Sequence, residues 1–267
     1  MRAFEFHRPA TLKDAAALLR KHPEARPLAG GQTLMPAMKL PLSAPPALVS
    51  LDAIAELRGA KLEGVTLSLG AMMRHAEIAA AKEVAMSIPA LARVAAGIGD
   101  RQVRNMGTLG GALANSDPAA DWPAAVLGLG ATIRTNKRDI PADRFFTGLF
   151  ETALKPGELI TAVTFPLVKR AAYVKFRQPA SRFALVGVFV SEGGGQVRVA
   201  VTGAAACAFR AKNMEKALSA NFTPEALART KVDPSTLLSD IHGAADYRAH
   251  LVGVLAKRAV EAAISGR

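Results

Sequence analysis

The stretch Gly99-Asp-Arg-Gln-Val-Arg-Asn-Met-Gly-Thr-Leu-Gly-Gly-Ala-Leu-Ala-Asn-Ser-Asp-Pro-Ala-Ala-Asp121 holds three glycines within five residues (Gly107, Gly110, Gly111), two hydroxyls (Thr108, Ser116) and two carboxylates (Asp117, Asp121), with an apolar run on each side. Bare main chain lets N–H groups approach an anion closely, a hydroxyl adds a directed hydrogen bond, and a carboxylate further on receives ribose-type hydroxyls. A second stretch of this kind lies upstream, Pro27-Leu-Ala-Gly-Gly-Gln-Thr-Leu-Met-Pro36. One Gly-Gly alone is an ordinary turn. Two, each between an apolar approach and a helix start, read as two walls around one phosphate-bearing ligand.

The chain that carries them has 267 residues, 50% hydrophobic and 21% charged, enough for two modest domains, each with its own core. The central apolar run Phe183 to Val190 is far too short to span a bilayer, and the first residues lack a hydrophobic signal core. Together with a single cysteine, Cys207, this predicts a cytoplasmic protein with no transmembrane segment and no disulfide framework. One thiol also leaves the chain unable to hold an iron–sulfur cluster alone. Five scattered histidines show no HExxH and no zinc spacing, so no metal site is expected. Neither a Rossmann fingerprint nor a P-loop is present, since Gln102 stands where the fingerprint after Gly97-Ile-Gly99 needs glycine. The formal net charge of +12 comes from basic residues spread along the chain with few aromatics, which suits a solvated surface or an acidic partner better than a nucleic-acid groove.

Periodicity sketches the elements around the glycine stretches. Phe4 to Phe6 reads as a strand, Thr11 as an N-cap with Asp14 at the capping-box position, and Ala15 to Lys21 as a helix. Strands are expected at Arg26 to Ala29, Ala47 to Leu51, Val65 to Gly70, Ala131 to Thr135 and Leu159 to Phe165, and helices at His75 to Glu83 and Pro89 to Gly97. The glycine-rich stretch itself reads as a long loop, and Pro123 to Leu129 as either helix or strand. Beyond Lys169-Arg170, strands at Ala172 to Phe176, Phe183 to Val190 and Val197 to Val201 form an antiparallel meander. Helices follow at Ala211 to Ser219, Pro224 to Lys231 and Asp246 to Ile264.

Taken in order, these residues resemble the FAD-binding medium subunit of the molybdenum hydroxylases, the group of xanthine dehydrogenase and aerobic carbon monoxide dehydrogenase. The likeness runs over nearly the whole chain: Phe4-Glu-Phe-His-Arg-Pro9, Leu28-Ala-Gly-Gly-Gln-Thr-Leu34, Gly70-Ala-Met-Met-Arg-His75, Val103-Arg-Asn-Met-Gly-Thr-Leu-Gly-Gly111, Asp117-Pro-Ala-Ala-Asp121, Tyr173-Val-Lys-Phe-Arg177 with Ser181-Arg-Phe-Ala184, and Ile241-His-Gly with Tyr247-Arg248. The resemblance implies an α+β fold: a two-subdomain FAD-binding domain of the PCMH/VAO type over residues 1–168 (subdomains about 1–56 and 57–168), then a C-terminal domain, 169–267, with a small antiparallel sheet and helices.

For the site, the resemblance implies that Ala29, Gly30, Gly31, Gln32, Thr33 and Leu34 cradle the FAD pyrophosphate with Thr108, Gly110 and Gly111, and that Ile98 and Ala112 join this set. It places Asp121 on polar groups of the cofactor, Lys175 and the Leu159-Ile160 edge near the isoalloxazine, and Phe183 over one ring face. Three positions depart from the family: Ala112 replaces an asparagine, Phe183 a tyrosine of the carbon monoxide enzymes, and Arg182 an acid. A phenylalanine can still stack on a ring. On residue type alone, Thr108 is equally an N-cap, Asp121 a cap for the following segment, Lys175 a solvated strand residue, Phe183 a core residue, and the histidines with Met72-Met73 packing or surface residues.

The implied function is electron transfer from a small [2Fe-2S] subunit through FAD to an external acceptor, NAD or a quinone. The implied complex also contains a large molybdopterin-binding subunit, as a dimer of heterotrimers. No hydrolytic constellation competes. Two alternatives stay open from sequence: a self-sufficient FAD-dependent oxidase or dehydrogenase, whose flavin substrate alone would bleach, and a basic nucleic-acid binder, whose affinity would fall steeply with salt.

Overall fold

A computed structural model describes residues 1–266. The chain opens with β1 (Glu5–His7), α1 (Leu12–Lys21), β2 (Arg26–Leu28), α2 (Leu34–Lys39) and β3 (Ala47–Ser50). The three strands form a parallel sheet of order β1-β3-β2. Thr11 caps α1 as its sequence suggests, its Oγ1 accepting from the Asp14 N–H at 3.1 Å. The apolar side of α1 (Ala15, Leu19) meets Val49, Leu51, Ile54 and Leu57 in one small core.

The second layer begins with β4 (Ala60–Glu63) and β5 (Thr66–Gly70) and continues through α3 (His75–Ala80), α4 (Lys82–Ser87), α5 (Pro89–Ala96), α6 (Arg101–Met106), α7 (Leu109–Asn115) and α8 (Asp121–Leu129). It closes with β6 (Thr132–Thr135), β7 (Asp139–Pro141), the ribbon of β8 (Phe146–Gly148) and β9 (Glu151–Thr152), and β10 (Ile160–Pro166). Its sheet has the order β4-β5-β10-β6-β7. The helix expected over His75 to Glu83 breaks at Ala81, which is extended (φ −69°, ψ 124°) and starts α4 afresh.

The glycine-rich stretch is not the long loop its composition suggests. Asp100 caps α6, accepting from Val103 N–H, and Thr108 caps α7, so two short helices occupy most of it. The ambiguous Pro123 to Leu129 is helix: all of α8 is buried, so it has no polar face from which a period could be read.

Beyond Pro166 the chain enters a four-stranded antiparallel sheet, β11 (Arg170–Arg177), β12 (Ala184–Gly193), β13 (Gln196–Thr202) and β14 (Phe209–Arg210), in meander order. Then come α9 (Lys212–Ala220) and α10 (Ala245–Ser265). The helix expected over Pro224 to Lys231 shrinks to a single 3-10 turn, Pro224–Leu227. Val186, Val188 and Val190 face the core shared with Leu251, Leu255 and Ala259 of α10. Phe189, on the other face of the same strand, joins the core of α8. There Gly128 is required, because a Cβ on it would stand 2.5 Å from Phe189 Cδ1.

Candidate functional site

A cavity of about 600 Å³ lies where the first sheet's loops meet the α6–α8 segment, a size ordinary for cofactor sites. Ala29, Gly30, Gly31, Gln32, Thr33, Leu34, Ile98, Thr108, Gly110, Gly111, Ala112, Asp121, Leu159, Ile160 and Phe183 all border it. The two glycine stretches touch. A Cβ on Gly30 would fall 2.0 Å from Met106 O and 2.8 Å from Gly107 Cα, and one on Gly111 would fall 3.3 Å from Ala29 Cβ.

The first wall is a loop between β2 and α2. Gly31 takes φ +69°, a conformation that disfavours any side chain, and turns the chain into the helix. Among the described residues, no protein group accepts from the main-chain N–H groups of Gly30, Gly31, Gln32, Thr33 or Leu34; the first engaged amide is Met35, which donates to Gly31 O at 3.1 Å. Five successive open donors beside a helix start form a nest suited to phosphate oxygens.

The second wall differs. Thr108 Oγ1 accepts from Gly111 N–H at 3.2 Å. Leu109 N–H donates to Met73 O at 3.0 Å, Gly110 N–H to Ala71 O at 2.8 Å and Ala112 N–H to Thr108 O at 3.0 Å. These four amides hold α7 in place, so Gly110 and Gly111 offer no N–H group, contrary to the expectation that both glycine pairs do; in this wall only Thr108 N–H has no protein acceptor among the described residues. What the second wall contributes is smoothness. Gly110 is the point at which α7 lies against Ala71, where a Cβ would sit 2.7 Å from the Ala71 Cβ and 2.9 Å from its carbonyl oxygen.

Asp121 begins α8 with both oxygens engaged: Oδ1 accepts from Tyr173 O–H at 2.5 Å and Oδ2 from Lys175 Nζ at 2.7 Å. Burial pushes its carboxyl up, and the charge of Lys175 with the hydrogen bonds from Lys175 and Tyr173 partly counters that. Burial, reinforced by the neighbouring Asp121, raises the Tyr173 hydroxyl well above its ordinary value, so it remains a donor. Lys175 is absent from the cavity border, the one expected site residue of which this is true. It is buried on Asp121 and also donates to Arg182 O at 3.0 Å. Arg182, at φ +62°, sends its guanidinium to Gly99 O at 3.2 Å, and this fixes the turn that carries Phe183, 45% exposed, at the cavity rim just before β12.

One bordering residue read from sequence as packing or surface is His75, 4% exposed, whose Nδ1 accepts from Trp122 Nε1–H at 3.1 Å. Its only signal was its place in Gly70-Ala-Met-Met-Arg-His75. Part of the basic charge is tied internally: Arg198 on Asp143 at 2.7 Å, Arg210 on Glu215 at 2.7 Å, Arg248 on Asp240 at 2.7 Å and Arg138 on Glu158 at 3.0 Å. Among the described residues no group of three or more His, Cys, Asp or Glu could hold a metal ion, and no helix is long and apolar enough to cross a membrane.

An α+β architecture with a cleft between two sheet layers, walled by bare main chain and open amides, defines a dinucleotide-cofactor protein. The family model described as the FAD binding domain in molybdopterin dehydrogenase matches residues 2–168, and the chain belongs to that family. The carbon monoxide dehydrogenase medium chain of Afipia carboxidovorans is 34% identical, covering 98% of this chain and 96% of that one. The nicotine 6-hydroxylase medium subunit of Paenarthrobacter nicotinovorans is 33% identical over 97% and 96%. Among solved structures, the reconstituted CO dehydrogenase from Oligotropha carboxidovorans superposes with a TM-score of 0.89 at 33% identity, over 99% of this chain and 98% of that one.

Proposed function

We propose that this chain is the FAD-binding, electron-transferring medium subunit of a molybdenum hydroxylase. Its partners are a large molybdopterin-binding subunit and a small [2Fe-2S] subunit, in a dimer of heterotrimers. Electrons enter from the iron–sulfur subunit and leave to an external acceptor, NAD or a quinone. The observation that carries the reading is the run of five open amides, Gly30 to Leu34, set against a smooth second wall.

Bound FAD supplies the redox chemistry, and the protein supplies position and environment. Gly30 to Leu34 hold the pyrophosphate, with Ala29 setting the strand end that aims them. Thr108, Gly110, Gly111 and Ala112 form the opposite face, close enough to exclude water. Ile98, Leu159, Ile160 and Phe183 provide the apolar and aromatic cover for the ring system. Asp121 presents a fixed negative edge to the cofactor's polar groups, and Lys175 serves by holding Asp121.

The test is direct. Full-length protein, alone or with its co-purifying partners, is expected to be yellow and to release about one FAD per chain on denaturation. Colourless protein that takes up no added FAD in either form overturns the proposal. Bleaching by organic substrate without partner subunits overturns the electron-transfer role while sparing the cofactor.

A further inference from the structure

His75 lies on the cavity border with its ring in a defined protonation state. An indole N–H can only donate, so the imidazole Nδ1 that accepts from Trp122 carries no proton, and a neutral ring must carry it on Nε2. Burial, with the charge of Arg104 adding to it, holds the imidazole down at about 4, so the ring is neutral at pH 7. Trp122 is fully buried, which anchors the Nδ1 side in the core.

The other side of the ring faces Gly107. A Cβ there would stand 2.7 Å from His75 Nε2 and 2.9 Å from Cδ2, so only glycine leaves that edge open. Gly107 borders the cavity and is also the residue on which Gly30, the first of the open amides, packs. Among the described residues no group accepts from Nε2. Nor is this nitrogen sealed away, because the partnerless polar side-chain atoms closed off from solvent are His7 Nε2, Ser87 Oγ and Thr223 Oγ1. A buried ring thus brings one neutral, unpartnered donor to the junction of the two walls.

We propose that His75 is a cofactor-binding residue: Trp122 locks it as the Nε2–H tautomer, and it donates that hydrogen to an anionic oxygen of the dinucleotide's pyrophosphate beside Gly30. Trp122 is the positioning residue behind it. The inference rests on the reading of the cleft as a FAD site, and it adds a side-chain donor to a cradle otherwise made of main chain.

Two substitutions separate binding from packing. In His75→Asn the amide oxygen can take the place of Nδ1 for Trp122, but nothing reaches the ligand. In His75→Gln the amide nitrogen can reach the position of Nε2, but Trp122 loses its acceptor. With the full-length chain stripped of flavin, His75→Asn is expected to weaken FAD binding about tenfold to a hundredfold while melting near wild type. His75→Gln should bind within about threefold of wild type and melt lower. Equal FAD affinity in all three proteins, or the opposite order, overturns the proposal.

Histidine side-chain 15N spectra give a second readout that needs no variant. In the ligand-free wild type at pH 7 the His75 proton must be on Nε2, and that resonance must shift when FAD saturates the site. A proton on Nδ1, or a resonance that ignores FAD, overturns the inference and leaves the FAD site standing. A wild-type chain that binds no FAD, with or without partners, removes both.

Discussion

The two glycine walls are written in nearly the same letters and do opposite work. In Gly30 to Leu34 the main chain has just left a parallel strand, and among the described residues none of its five N–H groups has a protein acceptor. In Leu109 to Ala112 the carbonyls of Met73, Ala71 and Thr108 and the hydroxyl of Thr108 lie within reach, and every amide is engaged. A glycine pair therefore states only that a Cβ would be in the way. At Gly30 and Gly110 alike the obstacle is protein, Met106 and Ala71; whether the neighbouring amides are engaged depends on which chain segment lies opposite, and distant sequence decides that.

The contrast can be broken at three points. The largest effect is expected at Gly110→Val, where the added carbons meet Ala71 main chain: unfolding stability should drop by about 3 kcal/mol or more, read as a lowered denaturation midpoint even in excess FAD. A stable Gly110→Val chain that has merely lost FAD would show that Gly110 makes room for the ligand and not for Ala71.

Next comes Gly30→Ala, whose methyl group would be driven into Met106 O and wedge the walls apart. We expect FAD binding to weaken about a hundredfold, the usual consequence of shifting a binding group by an ångström. Retained affinity, measured by fluorescence titration, would mean that the contact between the walls is not what aligns the amides.

The finest test compares the two threonines. Thr108→Ala removes a helix cap and should cost about 1 kcal/mol of stability with FAD affinity little changed. Thr33 makes no capping bond, so Thr33→Ala should leave stability within about 0.5 kcal/mol and weaken FAD binding roughly tenfold. If the two variants behave alike, the division of labour between the walls is wrong.

Much of this was legible beforehand because it depends on local rules. Alternation disclosed the meander of β11 to β13, Thr11 with Asp14 disclosed a helix start, and the glycine pairs disclosed the cleft that fifteen of the sixteen candidate residues border. What stayed hidden is what tertiary contact decides. α8 had no readable period because it is buried on every side. The 99–121 stretch hid α6 and α7 because caps at Asp100 and Thr108 outweigh the low helix propensity of its glycines. Lys175 reads as a solvated strand residue or as a flavin neighbour until Asp121, 54 positions earlier, is seen beneath it. His75 means nothing without Trp122.

The burial of α8 bears on anyone who would cut and splice these subunits. Phe189 and Ala200 of the C-terminal sheet share a core with Trp122, Val126 and Leu129 of α8, and Ser191 and Arg198 donate to Gly128 and Leu127 carbonyls. A gene fragment ending at residue 168 would strip a wholly buried helix of one of its covers. Chimeras between relatives are therefore better joined so that α8 and the β12–β13 hairpin come from the same parent.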